Sequence, residues 1–161
     1  MKQENKKEPC VYAYRMVAPR WERNAFSGEG ARKFGGRWNS PGRPLVYVGG
    51  SRALTALEML VHLTSPLSRV KEYRMIEVCI PSECVVHYPA SILPKDWRES
   101  PAGKSTQEIG DDWLAAGAHL ALSVPSAVIP EEINVLINPL HPDVSKLEYS
   151  PPKSFYFDPR L

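Results

Sequence analysis

Sixteen prolines in 161 residues, about twice the usual ~5%, limit this chain more than any other feature. Proline donates no hydrogen bond to a helix or a sheet ladder, so each regular element must be short and must stop where a proline stands. The segments between the prolines are mostly β-like. VYAYRMV (11–17), LVYV (45–48), EYRMIEVCI (72–80), VVHY (85–88), HLALSV (119–124), INVLIN (133–138) and SFYF (154–157) are rich in aromatic and β-branched residues. Helical patterning occurs at two places. RALTALEMLVHL over 52–63 follows Gly49-Gly50 with Ser51 as N-cap, and a second helix opens on the capping box Ser105-Thr-Gln-Glu108 and closes at Gly117. Many strands interrupted by two helices predict an α+β domain with a split, largely antiparallel sheet and a few short helices.

The length fits a single domain over 1–161. Residues 1–10 read as a flexible N-terminal tail, and the proline-rich connection over 89–104 carries no readable chemistry. No apolar run approaches the ~20 residues of a membrane helix, and MKQENKKEPC has charges where a signal peptide would be apolar. Three cysteines are an odd, sparse set that fits a reducing compartment. The expectation is a cytoplasmic protein without a membrane partner.

The net charge of +2 hides a segregation: residues 15–43 carry +5 and residues 77–148 carry −7. The basic stretch contains Arg15, Arg20, Arg23, Arg32, Lys33, Arg37 and Arg43 among five glycines. From 18 to 44 there is no sustained period, so the segment reads as a long loop. Arginine forks match phosphate oxygens and glycines let a backbone come close to a ligand, so the loop predicts an anionic partner. The acidic later half argues against direct nucleic-acid binding.

In the 52–63 helix, Leu54, Leu57 and Val61 form the expected buried stripe, and Glu58 falls inside it. A carboxylate there needs a partner or a proton. Other templates fail. Gly30 to Gly36 lacks the Lys-Ser/Thr of a phosphate loop, Cys79, Cys84 and His87 lack a second metal-binding pair, and the four histidines show no hydrolase spacing. What remains is Arg15 on a strand, Arg37 in the glycine loop, Tyr47 on the next strand and Glu58 on the helix after it. Two guanidinium groups, a phenol and a partly buried carboxylate suit a dinucleotide and the positive charge that develops at a ribosyl carbon.

GGRWNSPG (35–42), VYV (46–48), ALEML (56–60), VPSAVIP (124–130) and NVLINPLHP (134–142) resemble, in order and spacing, the RES domain, the toxin of bacterial RES-Xre toxin–antitoxin pairs. The resemblance spans about residues 11–145. It implies an ADP-ribosyltransferase-like fold and an enzyme that consumes NAD+ by cleaving the nicotinamide–ribose bond. NAD+ is then the substrate, and neither a resident cofactor nor a metal is implied. The family's arginines match Arg15 and Arg37, its tyrosine Tyr47, its glutamate Glu58 and its serine Ser126, with Asn39 supporting the loop. Glu58, Arg37 and Tyr47 are the implied catalytic set, and Arg15, Ser126 and Asn39 the implied substrate-binding set.

The resemblance also implies an Xre-type antitoxin, in a hetero-oligomer, as partner. The acceptor of the ADP-ribosyl group stays open between water, inorganic phosphate and a protein side chain. Arginine-modifying transferases often carry Glu or Gln two residues before the catalytic Glu, where this chain has Ala56, which favours destruction of NAD+ itself. Two other classes are an RNA-directed toxin using Trp21 and Trp38 as a stacking platform, and a non-catalytic phosphate-binding module.

Overall fold

The computed structural model describes residues 9–161. Of the tail expected over 1–10, residues 1–8 lie outside the described residues and Cys10 opens the first strand. The chain runs β1 (Cys10–Val17), α1 (Glu29–Phe34), β2 (Val46–Gly49), α2 (Arg52–His62), α3 (Pro66–Arg69), β3 (Tyr73–Pro81), β4 (Val85–His87), α4 (Lys104–Ala116), β5 (Ala121–Pro125), β6 (Ile133–Ile137), β7 (Glu148–Tyr149) and β8 (Lys153–Phe155). The strands form one sheet in the order β4-β5-β6-β2-β1-β3-β7, with β8 also on β3. Each pairing is antiparallel except β4 with β5. The fold is α+β with a largely antiparallel sheet.

The sheet is pinched in its middle. β1 pairs with β3 along its full length, whereas β1 and β2 share the single residue pair Tyr14 with Gly49. Beyond that pair the two strands part, which splits the sheet into a β4-β5-β6-β2 half and a β1-β3 half. One face is packed by Ala13, Val46, Val48, Val78, Ile80, Val135 and Ile137. The other is covered in two patches, by Trp38, Leu45, Trp113, Leu122 and Leu136 on the first half and by Met16, Tyr73, Met75 and Phe157 on the second.

Helix α2 starts as its sequence predicts, with Ser51 Oγ accepting from Leu54 N at 3.0 Å. Its buried face differs from the expected stripe. Leu54 is buried, but Leu57 is half-buried and Val61 is 56% exposed, while Ala56, Met59, Leu60 and Leu63 pack against Met16, Tyr73 and Met75. Apolar residues cover more than half of the circumference of the helix, so periodicity alone does not choose which part of that arc meets the sheet.

The segment 18–44 is less irregular than expected, holding a 3-10 turn at Pro19–Asn24 as well as α1. Both are too short to show a period. The capping box of the last helix does not form: Gly103 is the N-cap, and Ser105 Oγ instead donates to Asp96 Oδ1 at 2.8 Å. Gly117 does close that helix in the left-handed region, at φ 60°. Against the expectation of reduced cysteines, Cys10 and Cys79 form a disulfide, with Cα atoms 5.4 Å apart. Lying 69 positions apart in sequence, they meet only because β1 pairs with β3.

Candidate active site

The glycine loop is organised around Asn39, which is fully buried. Its Nδ2 donates to Ala31 O at 2.8 Å and to Arg43 O at 3.0 Å, tying both ends of the loop. Its Oδ1 accepts from Tyr47 Oη at 2.7 Å, and that phenol oxygen accepts from Trp38 N at 3.0 Å. Burial pushes the Tyr47 phenol above its ordinary value of 10.0, against the opposing effect of the Trp38 hydrogen bond. Tyr47 is therefore a neutral donor that fixes the loop on β2.

Helix α4 closes the loop from the other side. Gln107 Nε2 donates to Gly36 O at 3.0 Å, and Asp111 Oδ1 accepts from Ser40 N at 3.0 Å while lying 3.6 Å from Arg43 Nε. Part of the opposite charge that segregates along the sequence thus meets in space. Gly110 allows this approach, since a Cβ there would lie 1.7 Å from Trp38 O.

Arg15 and Arg37 bind backbone carbonyls. Arg15 lies where β1 and β2 part, with Nε donating to Ala25 O and Nη1 to Tyr47 O, both at 3.1 Å. Burial lowers its pKa from the ordinary 12.5, yet a guanidinium stays charged in a protein. Arg37 Nη1 donates to Trp97 O at 2.9 Å and Glu99 O at 2.8 Å. Among the described residues neither arginine has a carboxylate in ion-pair range. Two cations satisfied only by carbonyls retain a field that attracts an anion.

Glu58 stands at the end of the β5-β6-β2 half. Gly49 sets its position by letting α2 press on the end of β2: a Cβ at Gly49 would meet Thr55 Oγ1 at 2.3 Å. One turn later Glu58 Oε1 accepts from Ser126 Oγ at 2.7 Å and Asn134 Nδ2 at 2.6 Å. Ser126 Oγ in turn accepts from Val128 N and Ile129 N, each at 3.0 Å. Both lone pairs of that hydroxyl face amide hydrogens, so its own proton points at the carboxylate. Among the described residues, no hydrogen bond reaches Glu58 Oε2. One oxygen is anchored and the other is left for a ligand.

The six residues singled out in the sequence fall into linked groups. Glu58 and Ser126 are bonded directly; Tyr47 and Asn39 are bonded directly; Arg15 reaches this second group through the Tyr47 carbonyl. Arg15 shares a sheet face with Ala13 and Val17, opposite to the face of Tyr47 and Leu136, so its link to the group is through backbone. No hydrogen bond joins Glu58 to Arg15, Arg37 or Tyr47. A cavity of about 320 Å3, lined by residues such as Arg20, Ser68 and Tyr73, lies apart from all six. Trp38 is 3% exposed and is not available as a stacking platform beside the exposed Trp21.

The family model of the RES domain matches residues 12–158. The chain belongs to the RES domain family. It is 37% identical over 149 residues to Toxin Res of Yersinia enterocolitica, covering 92% of this chain and 97% of that protein. It is 37% identical over 147 residues to the Prs ADP-ribosylating toxin of a Sphingobium species, covering 88% and 89%. A chain in the crystal structure of the M. tuberculosis MbcT-MbcA toxin–antitoxin complex superimposes with a TM-score of 0.75 at 21% identity, covering 92% of this chain and 86% of that one. At that identity the likeness concerns the fold.

Asn134 of this RES domain, the second donor to Glu58, is not among the residues singled out in the sequence, although it opens the NVLINPLHP segment. Its signal is a polar side chain on an otherwise apolar strand. Trp97 and Glu99 are likewise absent from that set, since they act through backbone carbonyls and leave no mark in side-chain identity.

Proposed function

We propose that this RES domain is the toxin of a toxin–antitoxin pair and that it destroys NAD+ by breaking the bond between nicotinamide and ribose. The observation that carries the reading is the Glu58 carboxylate, with Oε1 held by Ser126 and Asn134 and Oε2 without a protein donor. Relatives named as toxins, one of them ADP-ribosylating, support it.

Arg37 takes the pyrophosphate with Nε and Nη2, which have no protein acceptor among the described residues, while Nη1 keeps its two carbonyls. Arg15 adds fixed positive charge at the parting of β1 and β2. Tyr47 and Asn39 hold the glycine loop in shape, and the ring of Tyr47 gives the nicotinamide side an apolar wall. Glu58 Oε2 accepts from a ribose hydroxyl and faces the charge that develops at the anomeric carbon. The C–N bond breaks with its electron pair going to the pyridine nitrogen, so nicotinamide leaves neutral. Water or phosphate then adds to the ribosyl carbon and gives up a proton to solvent.

Ala56, two positions before Glu58, favours such a small acceptor over a protein arginine. A second reading, ADP-ribosyl transfer to a protein, is favoured by the name of the Sphingobium relative. In this proposal the toxin acts in the cytoplasm, where NAD+ is abundant, and pairs with an Xre-type antitoxin in a hetero-oligomer. Purified protein incubated with NAD+, with and without phosphate, and resolved by mass tests this. ADP-ribose indicates hydrolysis, and a phosphorylated ADP-ribose formed only with phosphate indicates phosphorolysis. Intact NAD+ in both conditions removes the reading.

A further inference from the structure

The connection between β4 and α4 does more than join two elements. Its stretch from Pro94 to Glu99 is folded on itself by Trp97 N donating to Pro94 O and Glu99 N to Asp96 O, each at 3.0 Å, and Asp96 is pinned by Ser105 Oγ. On one side it receives Arg37, through the carbonyls of Trp97 and Glu99. On the other side the residue between those two, Arg98, donates from Nε to Ala127 O at 2.8 Å and from Nη2 to Val128 O at 3.5 Å. Ala127 and Val128 directly follow Ser126, and Val128 N is one of the two amides that fix the Ser126 hydroxyl on Glu58.

We propose that Arg98 is a positioning residue, a strut that sets the distance between the Arg37 guanidinium and the Ser126–Glu58 pair. Those groups share no direct hydrogen bond, and the connection links them by an indirect path. The path runs from Arg37 Nη1 through the Trp97 and Glu99 carbonyls to Arg98, then through the Ala127 carbonyl to the Ser126 turn and Glu58. A dinucleotide held at its pyrophosphate by one end and at its ribose by the other needs that spacing fixed, since small misplacements of oriented groups cost large factors in rate. Arg98 is itself exposed, so its loss leaves the core untouched.

This inference rests on the NAD+ reading for its kinetic consequence but not for its structural one, and the test separates them. Arg98→Ala is expected to speed hydrogen exchange at the Val128 and Ile129 amides, to leave the melting temperature unchanged, and to lower kcat for NAD+ about tenfold with a smaller rise in KM. Arg98→Lys, which keeps one donor for the Ala127 carbonyl, is expected to restore most of both. Unchanged exchange in Arg98→Ala overturns the proposal, whether KM rises through lost charge attraction or stays as it was. Faster exchange with a wild-type kcat also overturns it, because the turn then moves without consequence for the reaction. Where wild-type protein consumes no NAD+, the NAD+ reading fails by itself, and the exchange result still decides whether Arg98 holds the turn.

Discussion

Ser126 Oγ donates to Glu58 Oε1 at 2.7 Å while accepting from the amides of Val128 and Ile129. Replacing the serine by alanine removes one of two donors from the carboxylate and strands two amides. The expected outcome for Ser126→Ala is a loss of about 1–3 kcal/mol in denaturant unfolding. Turnover is expected to fall by about 10- to 100-fold. A variant of wild-type stability and rate would show that the hydroxyl organises nothing.

Asn134 Nδ2 and Ser126 Oγ converge on the same oxygen, so their effects are coupled. Asn134→Leu keeps the number and branching of the side-chain heavy atoms and is expected to lower kcat by about tenfold with folding intact. In a double-mutant cycle with Ser126→Ala, the two losses should depart from additivity by about 0.5 kcal/mol or more. Strict additivity in steady-state kinetics would mean that the two donors act independently.

The local structure of most strands and the start of α2 were legible in the sequence, because aromatic and β-branched runs between prolines and a serine after Gly49-Gly50 are short-range signals. β1, β2, β3, β5 and β6 lie within one or two residues of their expected limits. What failed depended on partners distant in the chain. The face of α2 is chosen by Met16 and Met75 rather than by its own period, Ser105 turns to Asp96 rather than to its own helix, and Cys10 finds Cys79 through strand pairing. Glu58 stood out because a carboxylate among apolar residues needs a partner. The identity of that partner set, Asn134 above all, required the β5-β6 end to be brought over the helix.

Burial raises the Tyr47 phenol above 10.0, so the folded state keeps a proton that the unfolded chain releases as pH climbs past about 10. The folded state binds more protons there, and stability must fall with rising pH, by up to about 1.4 kcal/mol per pH unit from this group. Denaturant unfolding between about pH 10 and 11 should be steeper in pH for wild type than for Tyr47→Phe, with both proteins compared over the same range. Equal slopes would place the phenol in contact with water rather than with Asn39 and Trp38.

In the proposed reaction Glu58 Oε2 faces the ribosyl carbon of NAD+. The decisive comparison is release of nicotinamide from NAD+ by wild-type protein and by Glu58→Gln, side by side and with matched melting curves. The amide keeps the shape of the carboxylate but not its charge, so the wild type should release nicotinamide and the variant should be slower by at least about 1,000-fold. Equal release by the two folded proteins would contradict it.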